Sequence, residues 1–288
     1  MMLSSGKRFR ATLQKSKPLQ IVGTVNAYCA KLATQAGFEA IYLSGGALAA
    51  VSYGLPDLGI TNLNDVLTDV DRITSSVDTP LIVDIDTGWG NDFTIARAIQ
   101  ALIKHGAAGV HIEDQVNEKR CGHRPNKRLV SEEEMLGRIQ AADQARKEND
   151  PDFYLIARTD AVAVEGLKSA IARAVQYQTA GADALFAESC TTLEEFHAFV
   201  KALDIPVLAN ITEFGKTPLF TVEELASRGI SMILYPFTAV RVMNKAAQEA
   251  YKTLKSHGSQ KSLIPQMETR DTLYDVLNYL AYEDKSQR

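Results

Sequence analysis

The chain has 288 residues, 45% of them hydrophobic and 23% charged, with a formal net charge of −4. That length suits one large globular core and matches the roughly 250 residues of an α/β barrel. The negative balance sets aside nucleic acid and anionic membranes as main partners, and no stretch nears the roughly 18 consecutive apolar residues of a membrane span.

From the start of the chain, Met1–Leu19 scatters Lys7, Arg8, Arg10, Lys15 and Lys17 without an apolar run, so it does not read as a secretory leader. Short β-branched runs then alternate with helical patterns. Strands are expected at Gln20–Asn26, Ala40–Ser44, Leu81–Asp84, Gly109–Glu113, Tyr154–Thr159, Ala184–Glu188, Val207–Asn210 and Met232–Tyr235. Between the third and fourth, Asn91–Lys104 places Ile95, Ile99, Leu102 and Ile103 on one helical face. Later helix starts carry capping boxes: Ser131 with Glu134, Thr191 with Glu194, and Thr221 with Glu224.

Strands separated by helices pair in parallel, and eight such units close into a (β/α)8 TIM-type barrel. A doubly wound open sheet is the alternative, but no G-x-G-x-x-G opens the first helix. No repeat or linker interrupts the chain, so residues 1–288 read as one domain, with 239–288 as a C-terminal helical extension. Helical patterns fall near Arg241–His257 and Pro265–Tyr282. The second carries Met267, Leu273, Tyr274, Val276, Leu277 and Leu280, an apolar excess that suggests packing on another subunit.

The strand ends carry the unusual chemistry. In order they deliver Ser44-Gly45-Gly46, Asp84 and Asp86, Glu113 and Asp114, Arg158 and Asp160, Glu188, Asn210 and Thr212, then Arg241. A barrel gathers its strand C-termini on one rim, so these groups are expected to converge. One Asp after a strand is ordinarily a helix cap; the mixed acid and base set is not what caps require. Asp84 and Asp86, two residues apart, can face one ion in the manner of a Mg²⁺ site, with Glu113 and Asp57 holding its waters.

The segment from Glu113 to Arg128 is a long strand-to-helix connection with five Lys or Arg residues, His123 and Cys121. A basic run alone would read as a solvated loop or a nucleic-acid patch. With a thiol inside it and a metal-type strand end beside it, it reads as a mobile lid for a polyanionic substrate, its cations lowering the thiol's pKa. The three cysteines are too few for a disulfide framework and point to a reducing cytoplasm. Cys29 and Cys190 read as packing residues, His105, His197 and His257 as surface residues, and His111 as a core histidine.

Lys119-Arg120-Cys121-Gly122-His123-Arg124 resembles the K-[KR]-C-G-H signature of the isocitrate lyase and phosphoenolpyruvate mutase superfamily. Tyr42-Leu43-Ser44-Gly45-Gly46, Leu55-Pro56-Asp57-Leu58-Gly59 and Ala209-Asn210-Ile211-Thr212-Glu213-Phe214-Gly215 are similar to its methylisocitrate-cleaving branch, and the similarity runs from Gly6 to about Tyr282. The resemblance implies a barrel whose last helix is exchanged between subunits of a homotetramer, and Mg²⁺ on Asp84 and Asp86. It implies a small tricarboxylic acid substrate held by Ser44, Gly45, Gly46, Cys121, Gly122, Arg158, Glu188, Asn210, Ile211, Thr212, Arg241 and Arg270, with Phe186 and Leu234 lining a methyl pocket.

The chemistry so implied is a retro-Claisen cleavage with Cys121 as general acid. Tyr42, or Glu113 and Asp57 through a water, would be the base, and Arg158, Arg241 and the Ser44-Gly45-Gly46 turn would stabilise the developing charge. An isocitrate lyase or another 2-oxoacid lyase or mutase is the neighbouring alternative, although mutases and decarboxylases generally lack the Cys-Gly-His loop. A metabolite-binding barrel without chemistry is the alternative of another kind, and it would have no use for a proton donor.

Overall fold

The computed structural model describes residues 3–286. Eight parallel strands close into a barrel in sequence order: β1 Leu19–Gly23, β2 Ile41–Leu43, β3 Leu81–Asp84, β4 Gly109–Glu113, β5 Tyr154–Thr159, β6 Ala184–Ala187, β7 Val207–Asn210 and β8 Met232–Tyr235. Closure is made by β1 against β8, with Leu19 opposite Met232 and Val22 opposite Tyr235. Five strands have the expected bounds. The other three are shorter at their C-terminal ends, and at two of them a capping side chain takes over. Ser44 and Asn26 turn their oxygens onto the amides of Ala47 and Cys29 and start helices instead.

Apolar residues divide by strand face into two cores. One fills the barrel: Ile21, Tyr42, Ile82, Ile156, Phe186, Leu208 and Leu234 are all buried there. The other lies between the strands and the surrounding helices and includes Leu43, Val83, Ile112, Leu155 and Ile233. Strand residues alternate between these layers, as a period of two requires.

The helix Ser5–Lys15 contributes Phe9 to the interior layer, its ring 4.8 Å from that of Tyr154 at the start of β5. Arg10 fixes it, donating to the Asp152 carbonyl at 2.8 Å and to Asp183 at 2.8 Å. The N-terminal end of the barrel is thereby filled with side chains, leaving the C-terminal rim for polar groups.

Helix starts follow the expected logic with one shift. Thr221 and Glu224 form a reciprocal capping box, and Ser131 caps Glu134, whose carboxylate goes to Arg138 instead of back to the cap. The box expected at Thr191 and Glu194 forms one residue later, at Thr192 and Glu195, because Glu195 reaches the amides of both threonines.

By compactness the chain divides into Met1–Thr238 and Ala239–Arg288. In the second unit the helix Thr238–His257 is followed by a 3-10 turn, Lys261–Gln266, and the helices Arg270–Leu277 and Tyr279–Ser286. The single helix expected over Pro265–Tyr282 is therefore broken: Asn278 adopts a left-handed φ of 54° and caps the shorter helix. This unit exposes Val242, Tyr251, Ile264, Leu280 and Tyr282.

Candidate active site

Three carboxylates lead the rim. Asp84, Asp86 and Glu113 are buried, and each offers an oxygen within 4.8 Å of the others. Asp84 ends β3, but Asp86 lies beyond the strand with a left-handed φ of 49°. The two carboxylates converge through this turn, and not through the strand alternation expected from their spacing. Asp84 accepts from the amides of Gly45 at 2.9 Å and Asp86 at 3.0 Å. A side chain at Gly45 would press on both aspartates, with a Cβ 3.2 Å from Asp84 Oδ2, so the carboxylates would have to shift by a few tenths of an ångström to admit one.

Charge balance explains the titration of the cluster. Burial, with Asp84 and Asp57 adding to it, pushes the Asp86 carboxyl up to about 6 against the pull of Lys119. Burial likewise lifts Glu113 well above the carboxylate range. Asp84 is instead lowered to about 2, because His111, which is protonated at such low pH, together with Lys119 and Arg158 outweighs its burial. His111 is itself pushed down to about 4 by burial. Its ring is therefore neutral at neutral pH, bonding the Tyr42 hydroxyl at 2.8 Å and lying 3.3 Å from Asp84. The expected core histidine is thus part of the rim.

Neither Glu113 oxygen has a hydrogen-bond donor, although Arg158 stands 3.2 Å from one of them. A compact set of buried oxygen donors, short of partners and mutually repulsive, suits a hard divalent cation. Among the described residues it is the one group of three or more side chains placed to hold a metal.

Arg158, at the end of β5, is the second centre. Its guanidinium meets Asp160 through Nε at 3.0 Å, Glu113 at 3.2 Å and Glu188 at 3.3 Å. Glu188 also receives Asn210 Nδ2 at 3.3 Å and faces His123 Nε2 at 3.3 Å. The charge and fork of an arginine among polar groups of both kinds form a carboxylate-binding set.

The long connection is folded inward over this set. Its base is pinned as a ribbon, with Val116 N bonded to Arg128 O at 3.0 Å and Val130 N to Asp114 O at 2.9 Å. Of its five cations, Arg120, Arg124 and Arg128 face solvent, whereas Lys119 and Lys127 are buried. The Lys119 ammonium contacts Asp86 and lies 2.8 Å from Asp57. Burial alone would discharge it; the surrounding carboxylates hold it charged. At Gly122 an added Cβ would lie 2.5 Å from Arg158 Nη2 and 2.6 Å from Glu188 Cγ, so the Cys121-Gly122 turn rests on the arginine centre. Half-buried Cys121 has its thiol pushed up by burial. This reverses the expected effect of the basic segment, because three of its cations point to water and are screened there.

Tyr42, Ser44, Gly45, Gly46, Asp57, Asp84, Asp86, Glu113, Cys121, Gly122, Arg158, Glu188, Asn210 and Thr212 therefore belong to the rim of one barrel. Ile211 does not present its side chain there, since it packs between barrel and helices. Arg241 and Arg270 lie on helices of the C-terminal unit. His111, Lys119, His123, Lys127 and Ser189 join the site beyond the expected set. The Lys residues and His123 were marked by their place in the basic segment, and Ser189 by no sequence signal at all.

A closed α/β barrel with a buried acidic cluster and a thiol-bearing lid at its C-terminal rim defines an enzyme of the phosphoenolpyruvate mutase and isocitrate lyase class. The family model described as phosphoenolpyruvate phosphomutase matches residues 9–255. 2,3-Dimethylmalate lyase, a solved member of that superfamily, superposes with a TM-score of 0.91 at 34% identity, covering 100% of this chain and 96% of the other. Phosphonopyruvate hydrolase complexed with oxalate and Mg²⁺ superposes with a TM-score of 0.88 at 30% identity, covering 99% of both chains. The 2-methylisocitrate lyase of Escherichia coli K12 is 57% identical over 283 residues, 98% of this chain and 95% of that protein. The chain belongs to the 2-methylisocitrate lyase family.

Proposed function

We propose that this enzyme cleaves 2-methylisocitrate to pyruvate and succinate, with Mg²⁺ held by Asp84, Asp86 and Glu113. The observation that carries the reading is the seating of the Cys121-Gly122 turn on Arg158 and Glu188, on the rim where the acidic cluster lies. Such an ion supplies Lewis-acid polarisation of the substrate's hydroxyl and carboxylate oxygens.

The residues divide the remaining work. Arg158 and Asn210 bind carboxylate oxygens of the half that becomes succinate, joined by the amides of the Ser44-Gly45-Gly46 turn. The substrate hydroxyl gives its proton to the Tyr42 oxygen as Tyr42 passes its own proton to the neutral His111 ring, 2.8 Å away; Glu113 is already counted among the metal ligands, and Asp57 is committed to Lys119 at 2.8 Å. The carbon–carbon bond breaks, its electron pair enters the succinate half, and the Cys121 thiol gives its proton to that carbon. Phe186 and Leu234 belong to the apolar filling of the barrel and bound a pocket for the substrate's extra methyl group.

Pyruvate release measured side by side from 2-methylisocitrate and isocitrate tests this reading. The methylated substrate is expected to give the higher kcat/KM by about 10-fold or more, the scale of one methyl group in an apolar pocket. Equal or reversed preference would favour an isocitrate lyase.

The exposed apolar residues of the C-terminal unit support assembly. Val242, Tyr251, Leu280 and Tyr282 are each more than three-fifths exposed, costly for a surface that stays in water. In our reading these helices pack on, and exchange with, a neighbouring subunit of a homotetramer. Light scattering is expected to give four times the 31.5 kDa chain mass; a monomer would contradict the assignment.

A further inference from the structure

One buried cation that bonds the thiol turn does not touch the acidic cluster. Lys127 is buried, its ammonium 2.6 Å from the carbonyl oxygen of Gly122 and 2.5 Å from Asp160 Oδ1. The same Gly122 carbonyl accepts the Ser189 hydroxyl at 2.8 Å. Ser189 directly follows Glu188, holds a left-handed φ of 62°, and gives its amide to Glu188 Oε1 at 2.9 Å.

Asp160 is in turn rigidly placed. It receives Arg158 Nε at 3.0 Å and Nη2 at 3.2 Å, and its amide donates to Asp114 at 2.8 Å. Asp114 is fixed by the hydroxyls of Thr159 at 2.7 Å and Tyr177 at 3.0 Å. One lysine therefore ties the backbone of the thiol turn to the carboxylate that orients the substrate-binding arginine.

We infer that Lys127, with Ser189, is a positioning latch that holds the Cys121-Gly122 turn over the substrate pocket, and that Asp160 relays this position to Arg158. The inference rests on the catalytic reading above for its effect on turnover, but not for its effect on the loop.

Physics favours a latch over a plain buried ion pair. An ion pair needs only Asp160 and a cation. Here the ammonium divides its donors between a barrel carboxylate and a lid carbonyl, and the Ser189 hydroxyl reaches that same carbonyl from the barrel. Two converging donors on one loop carbonyl fix both the position and the direction of the peptide that follows the thiol. Lys119, the lid's other buried cation, cannot serve the same purpose independently, since it sits on Asp86 of the acidic cluster. Its hold would change with that cluster's charge, whereas Lys127 contacts none of the three carboxylates.

The test uses the full-length enzyme with Lys127→Met, Lys127→Arg and Ser189→Gly, the glycine keeping the left-handed backbone while deleting the hydroxyl. Two assays are run: steady-state kinetics giving kcat and KM for 2-methylisocitrate, and the rate at which iodoacetamide alkylates Cys121 without ligand, followed by mass spectrometry of its peptide. For Lys127→Met, kcat is expected to fall about 100-fold with KM within about threefold, the scale of a misplaced reacting group. Alkylation is expected to rise about tenfold as the lid opens more often. Loss of a nearby positive charge would by itself make the thiol less reactive, so acceleration reports exposure.

Ser189→Gly should move both readouts in the same direction by less, and Lys127→Arg should restore part of the loss. Kinetics and alkylation within twofold of wild type in folded Lys127→Met would overturn the latch. If that variant does not fold, unchanged behaviour of Ser189→Gly overturns it instead. Faster alkylation in an enzyme that does not cleave 2-methylisocitrate would uphold the latch and remove the reaction assigned above.

Discussion

Replacing Cys121 by serine is expected to cut turnover of 2-methylisocitrate about a thousandfold, within the range a positioned general acid contributes, while the fold and substrate binding persist. The hydroxyl is nearly isosteric with the thiol but a far weaker acid, so only the proton delivered to carbon is lost. Burial holds the Cys121 thiol above its ordinary 9.0, so the acid keeps its proton throughout the neutral range. The sign of the pH dependence follows. An acid must be protonated to act, so the alkaline fall of kcat in the wild-type enzyme should lie above pH 9.0 and should disappear from the residual activity of Cys121→Ser. Near-normal turnover in that variant, or an unchanged alkaline limb, would take the thiol out of the mechanism.

Much of this architecture was legible in the sequence because a parallel barrel writes its strands as short apolar runs. Leu81–Asp84 and Tyr154–Thr159 are bounded where their composition changes, and both bounds hold in the fold. Strand ends were harder where the next residue is a cap. Ser44 and Asn26 continue an extended pattern in sequence, yet their side chains start helices, which is a local geometric choice that composition does not encode. The helix expected over Pro265–Tyr282 failed for a similar reason, since an apolar periodicity survives a one-residue left-handed break at Asn278.

The site was legible residue by residue but not as a network. Asp84 and Asp86 stand out by spacing, and Cys121 by its basic surroundings. That Lys127 would bridge to Asp160, 33 positions away, depends on the path of a folded lid. The sign of the thiol's shift was misread because sequence shows how many cations stand nearby, not which of them face water. Arg120, Arg124 and Arg128 do face water, and burial decides the outcome. His111 was read as a core residue because its neighbours in β4 are apolar. Only the barrel's closure brings it to Tyr42 and Asp84.

Removal of divalent ions should abolish turnover, and the reason is already visible in the protein's own electrostatics. Asp84, Asp86 and Glu113 are buried within 4.8 Å of each other, and the carboxyls of Asp86 and Glu113 are pushed upward, chiefly by that burial. Lys119 and Arg158 offset part of this charge, yet both oxygens of Glu113 remain without a hydrogen-bond donor. A cation that binds the folded chain alone stabilises it by mass action, by about 2.7 kcal/mol at a hundredfold excess over its Kd. For a domain of this size that corresponds to a rise in Tm of about 4–5 °C. EDTA is therefore expected to lower both activity and Tm, and Mg²⁺ to restore both. Glu113→Gln, which removes from the cluster the charge that has no hydrogen-bond donor, should raise the Tm of the EDTA-treated protein and shrink the increment gained from Mg²⁺. A chelated enzyme with full turnover and an unshifted Tm would mean that these carboxylates serve Lys119 and Arg158 alone.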